Sequence, residues 1–304
     1  MLNEELGARL GGRVESLRRL SGGASRETWS FDLHRDDGVV EALILRRDPP
    51  GAPKAGMARE AALLTAAAAA GVPVPEVIDS DESSIVMRRI DGETIPRRIL
   101  RDDEYSSARP LLAAQCGEIL ARLHTLPADV VPGLEQNDQV AQWRSMLDSL
   151  GQPHPAFELA LRWLDANRPP LHEPTLVHGD FRNGNLIVGP EGVRAVLDWE
   201  LAHAGDPTED LGWLCVKAWR FGVAPPVGGF GTYDELCDSY EAAGGRPVDR
   251  DALRWWEVLG TLKWGIMCIV QATTHASGMV RSVELAAIGR RVCENEWDLL
   301  EALP

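Results

Sequence analysis

The stretch Leu176-Val-His-Gly-Asp-Phe-Arg-Asn-Gly-Asn-Leu-Ile-Val188, followed by Val196-Leu-Asp-Trp-Glu200, constrains this chain more than any other. Short apolar runs at Leu176-Val177, Leu186 to Val188 and Val193 to Leu197 read as strands, and Gly189-Pro-Glu-Gly192 as a turn. Asp180 and Asn185 then lie between strands, five residues apart, and Asp198 ends the next strand. Singly, such residues are ordinary turn formers or helix caps. Set together in register between strands, they point to a polar centre with hard oxygen ligands.

Phosphoryl transfer needs this set, because its catalysis is mostly positioning and charge neutralisation by magnesium. Asp180 would accept the proton of an acceptor hydroxyl, or orient it, since an unactivated alcohol is a poor nucleophile at neutral pH. Asn185 and Asp198 would carry Mg2+, bridging the β- and γ-phosphates of ATP. His178 has no second His or Cys at ligand spacing and reads as a packing group that holds the loop. Asp206 and Asp210 read as structural carboxylates that could cap the helix beginning near Thr208.

His178-Gly-Asp-x-x-x-x-Asn185 with Leu197-Asp-Trp-Glu200 resembles the aminoglycoside phosphotransferase and choline-kinase-like group of small-molecule kinases. Leu20-Ser-Gly-Gly-Ala-Ser-Arg-Glu-Thr28, Leu45-Arg-Arg-Asp-Pro-Pro50 and Gly205-Asp-Pro-Thr-Glu-Asp-Leu-Gly212 are closer to the kinase-like domain fused to some acyl-CoA dehydrogenases. The resemblance runs from about Leu20 to about Trp219 and implies an α+β, protein-kinase-like fold. A β-rich nucleotide-binding lobe would occupy residues 1–92. A mainly helical lobe with the catalytic loop and acceptor site would occupy residues 93–304. The resemblance also implies that Asp210 braces the catalytic loop.

On the nucleotide side, Ser21, Gly22, Gly23 and Ser25 form the candidate loop over the phosphates, small enough for backbone N–H groups to approach them. Arg46 stands at a strand end where a kinase usually has lysine. Its fork can pair phosphate oxygens, and Glu60 on the following helix is its natural partner. Strand alternation turns Arg47 to the opposite face. Arg88 to Glu93 is a polar crossover at the position of a kinase hinge, so Arg88 and Ile90 join the cofactor-binding set.

The pattern along the chain agrees with two lobes. Strands are expected at Val14–Leu17, Thr28–Leu33, Val39–Leu45, Val74–Ile78 and Ser84–Met87, with a helix of strong formers from Met57 to Ala69. Helices are expected at 107–126, 140–150, 156–166, 208–219, 233–243, 251–276 and 283–303. Trp255, Trp256 and Trp264 either fill the core or line an apolar acceptor pocket.

With 31 Lys and Arg against 46 Asp and Glu, the net charge of −15 argues against nucleic-acid and anionic-membrane partners. Five scattered cysteines read as reduced core thiols. The N-terminal residues lack the pattern of a signal peptide, so the expected location is the cytoplasm. The sequence therefore reads as an ATP- and Mg2+-dependent phosphotransferase acting on a hydroxylated small molecule. A nucleotide-binding pseudokinase that serves as a partner-binding module, and an aminoglycoside-modifying kinase, are the alternatives.

Overall fold

The computed structural model describes residues 2–20, 26–49, 56–170 and 172–303. The chain opens with α1 (Leu2–Leu10), which the sequence analysis did not anticipate. Leu6 and Leu10 are its buried positions and join the core beneath the N-terminal sheet. Then follow β1 (Arg13–Arg19), β2 (Glu27–His34), β3 (Val40–Arg47), α2 (Met57–Ala69), β4 (Val77–Ser80) and β5 (Ser84–Arg88). The five strands form one antiparallel sheet in the order β1-β2-β3-β5-β4. Phe31, Leu33, Leu43, Leu45 and Val86 pack under it. Met57 and Ala61 seat α2 against Ile85 and Met87.

The expected strand at Val74–Ile78 begins three residues late, at Val77. Pro73 and Pro75 have no backbone N–H to give to a ladder. After β5 the chain crosses out of the sheet, and Glu93 exchanges two backbone hydrogen bonds of 2.9 Å with Val188.

The second lobe contains α3 (Pro96–Arg101), α4 (Arg109–Leu123), α5 (Gln139–Leu150), α6 (Pro155–Ala166), β6 (Thr175–Val177), β7 (Leu186–Gly189), β8 (Gly192–Val196) and β9 (His203–Gly205). It closes with α7 (Thr208–Cys215), α8 (Tyr233–Ala242), α9 (Arg250–Ala276), α10 (Val283–Ile288) and α11 (Val292–Ala302). The β6–β9 and β7–β8 pairs are two small antiparallel ladders. This is the expected α+β, protein-kinase-like arrangement.

Two expected helices are broken. The one from Thr208 ends at Cys215, because Val216 is extended (ψ 131°), and a 3₁₀ turn follows at Lys217–Arg220. The last is divided by a 3₁₀ turn at Gly289–Arg291.

Local signals explain several ends. Thr232 and Glu235 form a reciprocal capping box on α8, and the Asp249 side chain caps α9, each cap worth about 1 kcal/mol. All eight residues of α7 are buried. Gly212 permits this, since a Cβ there would stand 2.5 Å from Cβ of Trp256 on α9. The short α7 is thereby wedged between α9 and the β6–β7 loop. Four of the five cysteines are buried free thiols. Cys293 corrects the expectation, being exposed on α11. Among the described residues no helix is long and apolar enough to cross a membrane.

Candidate active site

The loop between β6 and β7 carries Asp180 and Asn185, and α7 holds it from behind. Asp210 on α7 is fully buried and accepts the backbone N–H groups of His178 (2.8 Å) and Gly179 (2.9 Å). It also accepts from Nε2 of His124 (3.2 Å), whose Nδ1 takes the hydroxyl of Tyr240 (3.0 Å). Burial alone would raise the Asp210 carboxyl. The hydrogen bond from His124, with that from the His178 backbone N–H, outweighs it and holds the carboxyl below its ordinary value. Asp210 therefore faces back onto the loop and does not cap its own helix. Asp206 does the capping, accepting from the Thr208 N–H at 2.8 Å.

His178 is buried among Phe181 and Trp199. Its Nε2 donates to the Leu197 carbonyl (3.0 Å), and its Nδ1 accepts the Asp180 N–H (3.2 Å), which fixes the neutral tautomer. Burial lowers its pKa and so favours that neutral form.

Asp180 is then over-determined. Its Oδ1 accepts from Nε1 of Trp213 on α7 (2.8 Å) and from Nε of Arg182 (2.9 Å), and its Oδ2 from Nδ2 of Asn185 (2.6 Å). Asn185 Nδ2 also reaches the Asp180 carbonyl (3.0 Å), so the amide presents its oxygen as the available ligand atom. Asp198 lies two residues beyond the end of β8, not at its last position as expected, with φ +65°. Asp tolerates that left-handed conformation better than most side chains, and such strain collects at functional sites.

Arg46, on β3, forms an ion pair with Glu60 of α2, and its Nη2 lies 3.4 Å from Oδ1 of Asp198 across the lobes. Glu60 is buried and is held a second time by Arg26 (2.5 Å). Arg47 turns to the other face, to Glu27 (2.8 Å) and the Trp29 ring. Arg46, Glu60, Arg88, Ile90, Asn185 and Asp198 all line one cleft of about 560 Å³ between the lobes. Arg88 stands at its edge, bound to Glu76 (2.7 Å). Asp180 adjoins this wall through Asn185. Ser21, Gly22, Gly23 and Ser25 lie outside the described residues.

Trp255 and Trp256 pack in the core between α6 and α9, with Trp255 Nε1 donating to the Leu164 carbonyl (3.0 Å). Trp264 goes elsewhere. It packs at a tilt against Trp219 (centroids 4.8 Å apart), Trp219 packs likewise against Trp213 (5.2 Å), and Arg182 lies 4.6 Å over the Trp219 ring. Sequence reasoning missed Arg182, Trp213 and Arg26. Arg182 stands two residues after Asp180, and Trp213 one helical turn after Asp210, so both had a positional signal. Arg26 had none beyond following the glycine loop.

Fold and site together define a kinase-type phosphotransferase architecture. Residues 16–256 match the phosphotransferase enzyme family (APH), and the chain belongs to that family. It is 35% identical over 211 residues to mouse acyl-CoA dehydrogenase family member 10, covering 63% of this chain and 20% of that protein. The chain thus spans about a fifth to a quarter of the length of such curated relatives. A choline/ethanolamine kinase family protein of Mesorhizobium loti superposes with TM-score 0.68 at 23% identity, over 99% of both chains. A thermostable mutant of aminoglycoside phosphotransferase APH(4)-Ia, in ternary complex with AMP-PNP and hygromycin B, superposes with TM-score 0.66 at 17% identity, over 99% of this chain and 97% of that one.

Proposed function

We propose that the chain transfers the γ-phosphoryl group of ATP, with Mg2+, to the hydroxyl of a small molecule. The observation that carries this reading is the Asp180 carboxylate, fixed from three sides and bound to Asn185, which lines a cleft together with Arg46 and Asp198. The nucleotide complex of the structurally similar aminoglycoside phosphotransferase supports placing ATP in that cleft.

The donor set suits magnesium. Among the described residues no cluster of three or more His, Cys, Asp or Glu could hold a metal, which disfavours an all-protein cage. One carboxylate and one amide oxygen suit Mg2+, which keeps several waters and takes phosphate oxygens. Asp198 and Asn185 would hold it. When bound, the metal would neutralise charge on the transferring group. Arg46 would fork onto phosphate oxygens while Glu60 and Arg26 fix its direction. Asp180 would orient the acceptor hydroxyl and take its proton, with Trp213, Arg182 and Asn185 keeping the carboxylate aimed.

ADP release from Mg-ATP, measured against a panel of hydroxylated acceptors (amino alcohols, sugars, aminoglycosides, macrolides and hydroxyacyl compounds), tests the reading. Acceptor-dependent release on at least one class is the expected result. Nucleotide binding with no release on any class would favour the pseudokinase alternative.

A further inference from the structure

We infer that Lys263 is a positioning residue for the Asp180 carboxylate, acting through the Gly179 peptide and the Trp213 indole. The inference rests on the role given to Asp180 above. Lys263 lies in the middle of α9 and is only 5% exposed. Leu259, Leu262 and Ile266 beside it are buried and apolar. A buried ammonium is costly unless it is paired and hydrogen-bonded, and a methionine would fill similar volume without that cost. The charge therefore calls for a reason.

Its contacts supply one. Nζ donates to the Gly179 carbonyl at 2.9 Å and lies 4.5 Å from the centroid of the Trp213 ring. Gly179 is the peptide immediately before Asp180, and Trp213 is the indole that donates to Asp180 Oδ1 at 2.8 Å. A cation over the π face draws density from the ring and strengthens its N–H as a donor. Both routes from Lys263 thus end one step from the same carboxylate.

A plain salt bridge with Glu209 does not explain the residue. The Glu209 contact is the longer one, at 3.4 Å, and Glu209 has a nearer partner in His203 at 3.1 Å. Glu209 balances the charge, while the shortest contact goes to the loop. The other side of the Gly179 peptide is already closed. Gly179 has φ +76°, and a Cβ there would meet the Leu201 carbonyl at 2.5 Å and His203 Nδ1 at 3.1 Å. With the Asp210 carboxylate on the Gly179 N–H, Lys263 completes the enclosure.

The test uses the whole chain with 15N-labelled tryptophan, the Trp213 indole resonance being assigned by its loss in Trp213→Phe. A carboxylate acceptor holds that proton downfield, so Asp180→Asn should move it upfield. Lys263→Met should move it in the same direction, and Lys263→Arg should return it toward the wild-type position. An indole resonance unmoved in Lys263→Met overturns the inference.

Kinetics give the second readout. Lys263→Met should lower turnover about ten- to hundredfold while leaving the KM for ATP within about twofold, as misplacement of a reacting group does. In an Asp180→Asn background the same change should cost less than about twofold, because its target is already gone. A full additional loss there would show that Lys263 acts on the fold at large. If Lys263→Met does not fold, Lys263→Gln is read by the same two measurements. Full turnover in Asp180→Asn alone would defeat the role of Asp180, while the indole shift would still decide whether Lys263 reaches that carboxylate.

Discussion

Asp180, beside the helical-lobe wall of the cleft, is fixed by the buried Trp213 and Asn185 and by the partly exposed Arg182. Arg46 on the sheet wall is fixed by other charges, and both it and its partner Asp198 keep some exposure. Asp210, His178 and Trp213 are within 2% of full burial, and each holds the β6–β7 loop through a hydrogen bond. Arg46 is held by Glu60 and, at 3.4 Å, by Asp198, whose side chain is 36% exposed. The first wall is preorganised by packing. The second is an electrostatic network open to a charged ligand, and the Arg46–Asp198 contact spans the lobes. Such a division suits phosphoryl transfer, in which the attacking group must be aimed before charge arrives.

The comparison predicts a larger structural penalty on the buried wall. Asp210→Ala should cost about 3–5 kcal/mol in urea denaturation, the usual result of leaving buried partners uncompensated. A loss under about 1 kcal/mol, the scale of an exposed pair, would erase the distinction between the walls. Within the open network, Asp198→Ala should leave stability nearly unchanged and remove the magnesium dependence of nucleotide binding in calorimetric titrations. Unaltered magnesium dependence would take Asp198 out of the metal site.

Arg46→Ala and Glu60→Gln should each weaken ATP binding and should couple by about 0.5–3 kcal/mol in a double-mutant cycle. Glu60 has the second partner Arg26, so its loss should be the more damaging of the two. Arg46→Lys should bind ATP less well, since a point charge loses the fork. Equal binding would show that only the charge matters.

The smallest effect concerns acid. The folded pKa of Asp210 is depressed, so its contribution is fully present above the ordinary carboxylate value and is lost as pH falls through the depressed one. Denaturation midpoints between neutral and strongly acidic pH should fall less steeply in Asp210→Asn than in the wild type.

What could be read in the sequence was whatever is local. The Asp180–Asn185 spacing, the strands around it and the bounds of α2 follow from apolar runs, turn residues and strong helix formers within one window. The pairing of Arg46 with Glu60 needed only the order strand then helix. Arg26 and Lys263 were invisible for the opposite reason, because their contacts join distant parts of the chain, 84 residues apart for Lys263 and Gly179. A lysine in the middle of an amphipathic helix looks like a solvated face until α7 is seen to cover it. The breaks at Val216 and Gly289 were missed because helical periodicity continues across a single deviant turn.

Transfer of label from γ-labelled ATP to the acceptor reads the proposed part of Asp180 in phosphoryl transfer out of the cleft. Transfer is expected in the wild type, and in Asp180→Asn a rate lower by about two to four orders of magnitude with ATP affinity retained. A rate within a few-fold of wild type on the same acceptor would contradict it.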